Sequence, residues 1–361
     1  MDLIETRRCL HRIPELGDQL PETAAFVRRR LQALPCAVTE PYEHALCAFF
    51  DFGKAETVAF RADMDALPIF EKNTHHFVST HPGQMHACGH DGHMAMVLGL
   101  GDWVAKQKDL PRNVLLVFQP SEETTGGAKR IVDSGIFKKY NVTRIFGQHL
   151  WPELPLGTVG CRKGEMMSRA SEVDIVVKGK SAHAAKSRLG IDAMTAVCEI
   201  QCRARALDRS VPPEVFRLIH FGQMAAGTVR NAVAAEGWLK GTLRAFQDEW
   251  FYYLMNGLET ICRDVARETG CRINMTHTEG YPAVCNDAGL YEKVKGKVPF
   301  AELAEPSMIA EDFSYYAEAA PSVYFFLGCG PASGLHADTF DFDESVLTVG
   351  CDFLKQLAQL P

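Results

Sequence analysis

The 361-residue sequence has no run of eighteen apolar residues, the length a membrane-spanning helix needs, so no membrane partner is expected. It also lacks a basic stripe. Its formal net charge is −7, and nucleic acid is not expected as a partner. Met1 to Arg12 carries acids and arginines where a signal peptide would carry an apolar core, and a cytoplasmic location is expected. Nucleotide-binding signatures are missing: Gly99-Leu100-Gly101 has no third glycine, and no Walker sequence occurs. Internal repeats, low-complexity tracts and heptad arrays are absent. Cysteine is plentiful, with twelve residues, but no Cys-x-x-Cys pair occurs. Scattered thiols without a secretory context read as free thiols in a reducing cytosol, most of them small buried hydrophobes.

The composition, 47% hydrophobic and 23% charged, is that of an ordinary globular protein, and the length suggests two domains. The N-terminal segment reads helical, with Phe26, Val27, Leu31 and Leu34 on one face and Pro21 near its start. Short apolar runs with the look of buried strands follow. Val58 to Ala62 precedes Asp63 and Asp65; Val114 to Phe118 precedes Gln119, Pro120, Glu122 and Glu123. Ile145 to Gly147 precedes His149, and Val323 to Leu327 leads through a glycine-bearing loop to His336. Helical segments, including Gly92 to Lys106 and about Gly127 to Lys139, separate several of these runs. The pattern predicts an α/β sheet with helices on its faces and a site at the carboxyl ends of its strands.

Between Arg169 and Glu279 the pattern changes. Val173, Ile175 and Val177 alternate as in a half-exposed strand; Val197, Ile200, Ala204 and Leu207 repeat at helical spacing. Val215 to Phe221 and Val233 to Phe246 read as strands. Phe251, Leu254, Leu258, Ile261 and Val265 mark a second amphipathic helix, with Asp248 as N-cap and Gly270 as its stop. Arg272 to Thr278 is a last strand. The order βαββαβ predicts a small inserted α+β domain with one open sheet face. The expected boundaries are 1–168 and 280–361 for a discontinuous larger domain and 169–279 for the insertion.

The densest chemistry lies in Met85-His86-Ala87-Cys88-Gly89-His90-Asp91-Gly92-His93. Thiolate and imidazole suit a transition metal, and the absence of a second thiol pair favours an open, catalytic site over a zinc finger. His86 or His93 could serve as the ligand in place of His90. Glu122 and Glu123 are adjacent; in an extended segment they would point to opposite sides, one to a metal and one to a substrate water. With His149 and His336, a set of five donors is available: Cys88, His90, Glu123, His149 and His336. Five exceed what one tetrahedral catalytic ion uses and match two ions sharing a water.

At these residues the sequence resembles the aminoacylase, hippurate hydrolase and auxin-conjugate hydrolase branch of the dinuclear metallopeptidases, which is related to carboxypeptidase G. Bacterial N-acetyldiaminopimelate deacetylases look especially close. The matching motifs run along the whole chain: HRIPELG at 11–17, RADMDALPI at 61–69, MHACGHDGHMAM at 85–96, FQPSEE at 118–123, HLWPELPLG at 149–157, GKSAHAA at 179–185, GTVRNAV at 227–233 and EDFSYY at 311–316. The resemblance implies a mixed-sheet α/β/α catalytic domain with an inserted ferredoxin-like lid and dimerisation domain, hence a homodimer or higher homo-oligomer. It implies two divalent cations, Mn²⁺ or Zn²⁺ with Co²⁺ and Ni²⁺ as alternatives, on the five donors. Glu122 would be the general base and Asp65 would orient a ligand histidine. His183 and Asn231 would touch substrate. Arg244 resembles a substrate-side arginine but reads equally as a solvated strand residue. The implied reaction is hydrolysis of the amide bond of an N-acyl amino acid, with N-acetyl the expected acyl group. The alternatives are a dipeptidase or carboxypeptidase on the same scaffold, or a non-catalytic metal-stabilised binding protein. The chain departs from the family pattern at Ser181-Ala182, where Gly-Gly is usual, and at Ile309-Ala310, where glycine is usual.

Overall fold

The computed structural model describes residues 2–330 and 333–361, so two residues of the loop between Leu327 and His336 lie outside the described ones. The chain divides into two compact units. One comprises Met1–Met166, Cys285–Pro306 and Asp312–Pro361, the other Met167–Val284 and Ser307–Glu311.

The first unit is built on an eight-stranded mixed sheet in the order Ala37–Thr39, Leu46–Phe50, Asn113–Gln119, Thr57–Asp63, Val142–Trp151, Ser322–Gly328, Val159–Cys161, Ala301–Glu302. Its four central strands, from Asn113–Gln119 to Ser322–Gly328, run parallel. Leu46–Phe50 and Val159–Cys161 flank them antiparallel. Every residue of Thr57–Asp63, Asn113–Gln119 and Ser322–Gly328 is buried, because helices on both faces leave a parallel strand no solvated side. Val58, Phe60, Leu116, Phe118, Phe146 and Phe325 belong to the core that includes Met94, Val97 and Leu100 of helix His90–Val104 and Leu354 of helix Val346–Ala358. Each such large side chain contributes about 1.5–3 kcal/mol by leaving water. The alternate positions Arg61, Asp63, Gln119 and Tyr324 make a polar network instead, described below. The predicted helix at 127–139 is two short ones, Ala128–Asp133 and Ile136–Lys139, broken where Gly135 takes a left-handed φ of 76°.

The second unit follows βαββαβ: strand Arg169–Lys178, helix Ala193–Ser210, strands Arg217–Ala226 and Glu236–Ala245, helix Asp248–Thr269, strand Arg272–His277. These strands form one antiparallel sheet in the order Arg272–His277, Arg169–Lys178, Glu236–Ala245, Arg217–Ala226. Val173, Ile175, Val177, Leu239 and Leu243 pack on Val197, Ile200, Phe251, Leu254 and Leu258. Their neighbours Glu172, Asp174, Val176 and Lys178 are exposed, so the far face is open. The long helix begins at the predicted cap itself, so its N-cap lies one residue earlier, at Gln247, and Asp248 is in its first turn. It stops at Gly270, whose φ of 76° is left-handed. Among the described residues no helix is long and apolar enough to cross a membrane.

Candidate metal centre

The parallel strands of the first unit end in chemistry. Just beyond Thr57–Asp63, the Asp65 carboxylate accepts the backbone N–H groups of Glu122 and Glu123, each at 3.0 Å. It therefore clamps the segment that follows Asn113–Gln119. That segment is a turn, not an extended piece. Ser121 enters it at a left-handed φ of 67°, a conformation non-glycine residues adopt at a cost. Turning changes the expected geometry. Glu122 and Glu123 do not diverge fully, because each brings a carboxylate oxygen within 4.8 Å of a His90 nitrogen.

His90 opens its helix behind Gly89, which holds φ 85°, and a Cβ there would lie 2.9 Å from Leu150 Cδ1. Glycine thus lets the helix start against the strand that carries His149. His90 Nδ1 lies 2.8 Å from the Asp65 carbonyl and donates to it, which turns Nε2 toward the donor cluster. Orientation of this ring comes from the Asp65 backbone; the carboxylate is 3.6 Å from Nδ1 and serves chiefly the Glu122–Glu123 turn. His149 is oriented likewise: Nδ1 donates to Leu150 O at 2.7 Å, and Nε2 lies 3.4 Å from Cys88 Sγ. His336 sits at a left-handed φ of 66°, its amide held by Ala87 O, with Nε2 3.3 Å from Glu123 Oε1.

The five candidates therefore converge. Cys88, His90 and His149 present donor atoms within 4.8 Å of one another, and so do Cys88, Glu123 and His336. Cys88 belongs to both triads. The fit to cations rests on the buried polar atoms: His90 Nε2 and Glu123 Oε1 are buried without a hydrogen-bond partner. Native interiors seldom leave such groups unsatisfied without a reason. Burial and the neighbouring Glu123, Glu122 and Asp63 carboxylates push the Cys88 thiol well above its usual pKa, so this thiol is a poor anion unless a cation offsets them. Burial holds His149 well below the usual imidazole value, in the neutral form that ligates.

His93 is closed as an alternative ligand, since both ring nitrogens are used. Nδ1 lies 2.6 Å from Asp63 Oδ1, and Nε2 accepts the Leu150 amide at 2.9 Å. It ties the His149 strand to the Asp63 strand. Burial would raise the Asp63 carboxyl, but Arg61, His90 and His93 hold it well below the usual range. Arg61 continues the network to Asp312 at 2.9 Å, and Asp312 accepts from Gln119 and from the amides of Gly127 and Ala128. Sequence reasoning misses Arg61, His93 and Asp312 as holders of the site. The one local signal is Arg61, a charge inside an otherwise apolar strand; His93 lies within a helix and Asp312 opens a short helical turn, where nothing in the sequence marks them for that role.

His183, Asn231 and Arg244 lie in the second unit. His183 and Asn231 are exposed and held side by side, with Ala184 N donating to Asn231 O at 2.9 Å and His183 bridged to Ala232. His183 Nδ1 accepts the Ala185 amide at 3.1 Å. Arg244 is half-buried and donates to the Met308 carbonyl at 2.5 Å, and burial lowers its pKa.

The sheet gathers these donors near its strand ends, and residues 59–360 match the model of peptidase family M20/M25/M40. The chain belongs to that family and is a hydrolytic enzyme acting on amides. It is 34% identical over 370 residues to the N-acetyldiaminopimelate deacetylase of Lactobacillus helveticus (strain DPC 4571), covering 98% of this chain and 96% of that one. It is 34% identical over 362 residues to the N-acetyldiaminopimelate deacetylase of Halalkalibacterium halodurans, covering 98% and 97%. Among solved structures, a dinuclear metal binding peptidase of the M20 family from Bacillus subtilis superposes with a TM-score of 0.83 at 30% identity, covering 99% of this chain and 96% of that one.

Proposed function

We propose that this enzyme removes the acyl group from N-acyl amino acids, and that its substrate is an N-acetylated diamino acid of the N-acetyldiaminopimelate type. The observation that carries the reading is the convergence of Cys88, His90, Glu123, His149 and His336, with His90 Nε2 and Glu123 Oε1 buried without a hydrogen bond. These five would hold two divalent cations, Zn²⁺ or Mn²⁺, with Co²⁺ and Ni²⁺ also suited to the donor set. Such ions, when bound, supply acidity to water and polarise an amide carbonyl. Glu122 moves the proton: its carboxylate takes one from the attacking water and returns it to the departing amine nitrogen. Asp65 acts through the backbone, fixing Glu122 and Glu123 by their amides. We assign His183 and Asn231 to the developing oxyanion and Arg244 to the substrate carboxylate. The full-length similarity to two N-acetyldiaminopimelate deacetylases supports the choice of substrate.

We place the enzyme in the cytoplasm, a choice supported by its unlinked cysteines. The open sheet face of the second unit, with Val176 and Trp238 exposed and paired across strands, supports self-association there as a homodimer. The deciding experiment compares hydrolysis of N-acetyl, N-benzoyl and longer-chain amino-acid conjugates, including N-acetyldiaminopimelate, with that of dipeptides, each in Zn²⁺ and Mn²⁺. Preference for N-acetyldiaminopimelate is expected. Faster turnover of dipeptides would replace this reading with a peptidase, and no turnover of any member would leave a binding protein.

A further inference from the structure

A second cluster of donors lies in the first unit, apart from the five described. His11, Glu71 and His75 each present a donor atom within 4.8 Å of the others. His11 Nε2 is 3.1 Å and His75 Nε2 3.4 Å from Glu71 Oε1, and Asp341 Oδ2 is 3.9 Å from His75 Nε2. Around a tetrahedral zinc ion with bonds of about 2.0–2.1 Å, neighbouring donors stand roughly 3.3–3.4 Å apart. The same spacing appears at the centre above, where Cys88 and His149 are 3.4 Å apart and Glu123 and His336 3.3 Å. We propose that His11, Glu71 and His75, with Asp341 beside them, form a third cation site, suited to Zn²⁺.

Three observations support it independently of the catalytic reading. First, His11 is backed as ligand histidines are: its Nδ1 lies 2.8 Å from Asp91 Oδ2, which leaves Nε2 to face Glu71. Second, both ring nitrogens of His75 are buried and make no hydrogen bond, although the ring stacks on Phe77 with centroids 3.7 Å apart. A ring so fixed, with no hydrogen bond at Nδ1 and only the Glu71 and Asp341 carboxylates facing Nε2, is costly unless something else meets it. Third, the charges fall short. The ion-paired cluster holds four carboxylates, Glu71, Asp91, Asp341 and Glu344, against two guanidinium groups, Arg7 and Arg8, giving 2 − 4 = −2 with neutral imidazoles. One dication balances it.

The competing occupant is a proton, with His11 held as an imidazolium between Asp91 and Glu71. That accounts for His11, and Asn73 supplies a further donor to Glu71 Oε1 at 3.1 Å. It leaves both nitrogens of His75 without a hydrogen bond. The test is zinc titration of the full chain, with bound Zn²⁺ measured after gel filtration, for the parent, His75→Leu, Asp341→Asn and Cys88→Ser. His75→Leu is expected to bind one equivalent fewer than the parent. Cys88→Ser should keep the equivalent that His75→Leu loses, which separates failure of this site from failure of the two-cation reading. Asp341→Asn, at a more exposed position, weakens the same equivalent by about tenfold or more if Asp341 ligates. Anomalous scattering at the zinc edge should show a peak against His11 Nε2 and His75 Nε2. Equal zinc content in the parent and His75→Leu, or no peak between those rings, overturns the proposal and leaves His11 with its proton.

Discussion

The carboxylate of Asp65 accepts two amides and carries two neighbouring side chains with them. Asp65→Ala would leave both N–H groups buried without an acceptor, at about 1–3 kcal/mol each. Metal-free Asp65→Ala should therefore unfold at lower urea than the parent, and its cation affinity should fall about 10–100-fold; equal midpoints would show that the clamp is idle. Glu122→Gln keeps the shape and removes the proton carrier. Its metal content should match the parent while kcat falls about 10²–10⁴-fold. Near-normal turnover would remove Glu122 from the chemistry. Sequence reasoning assembles the donors but cannot choose among His86, His90 and His93 by spacing. The choice depends on what the second ring nitrogen meets: the Asp65 carbonyl for His90, Asp63 and the Leu150 amide for His93. Those partners sit many residues away along the chain.

Elements whose environment is uniform are the ones the sequence reveals. Asn113–Gln119 and Ser322–Gly328, buried throughout, are written as apolar runs, and the half-open strand Arg169–Lys178 is written as alternation. Helix Leu3–His11 escapes because its inward face includes Arg7 and His11, buried by ion pairing where the pattern expects apolar residues. The turn at Ser121 escapes for a related reason: no local signal announces a left-handed serine. Helix starts are the sensitive points. Gly89→Ala forces a Cβ to 2.9 Å from Leu150 Cδ1 at a φ of 85°. The conformation alone costs about 1–2 kcal/mol, so chemical denaturation should report at least that loss, with bound metal falling in parallel. An unchanged midpoint would mean the helix start moves freely. In the second unit, Leu254→Ala or Leu258→Ala, both sealed between helix and sheet, should cost about 2–5 kcal/mol.

The whole molecule contains twelve cysteines and, among the described residues, no disulfide. Cys198, Cys202 and Cys285 are exposed; burial pushes Cys47 up to about 12 and Cys329 and Cys351 up to about 11. A thiol-disulfide reagent at pH 8 should therefore modify the exposed three quickly in the native protein and all twelve only after denaturation. Fast native labelling of Cys47 would contradict this burial. Chelation should abolish hydrolysis and lower the melting temperature. An ion present at about 100 times its Kd stabilises by about 2.7 kcal/mol, so a chelated sample melting with the loaded one would show that its cations bind too weakly to matter.

One sulfur is common to both donor triads, and this affects how the protein loads. If Cys88 serves both positions, the first ion would hold its side chain for the second, so the cost of immobilising it would fall once. Occupancy at the two positions would thereby be linked through Cys88, and Cys88→Ser should weaken both ions together.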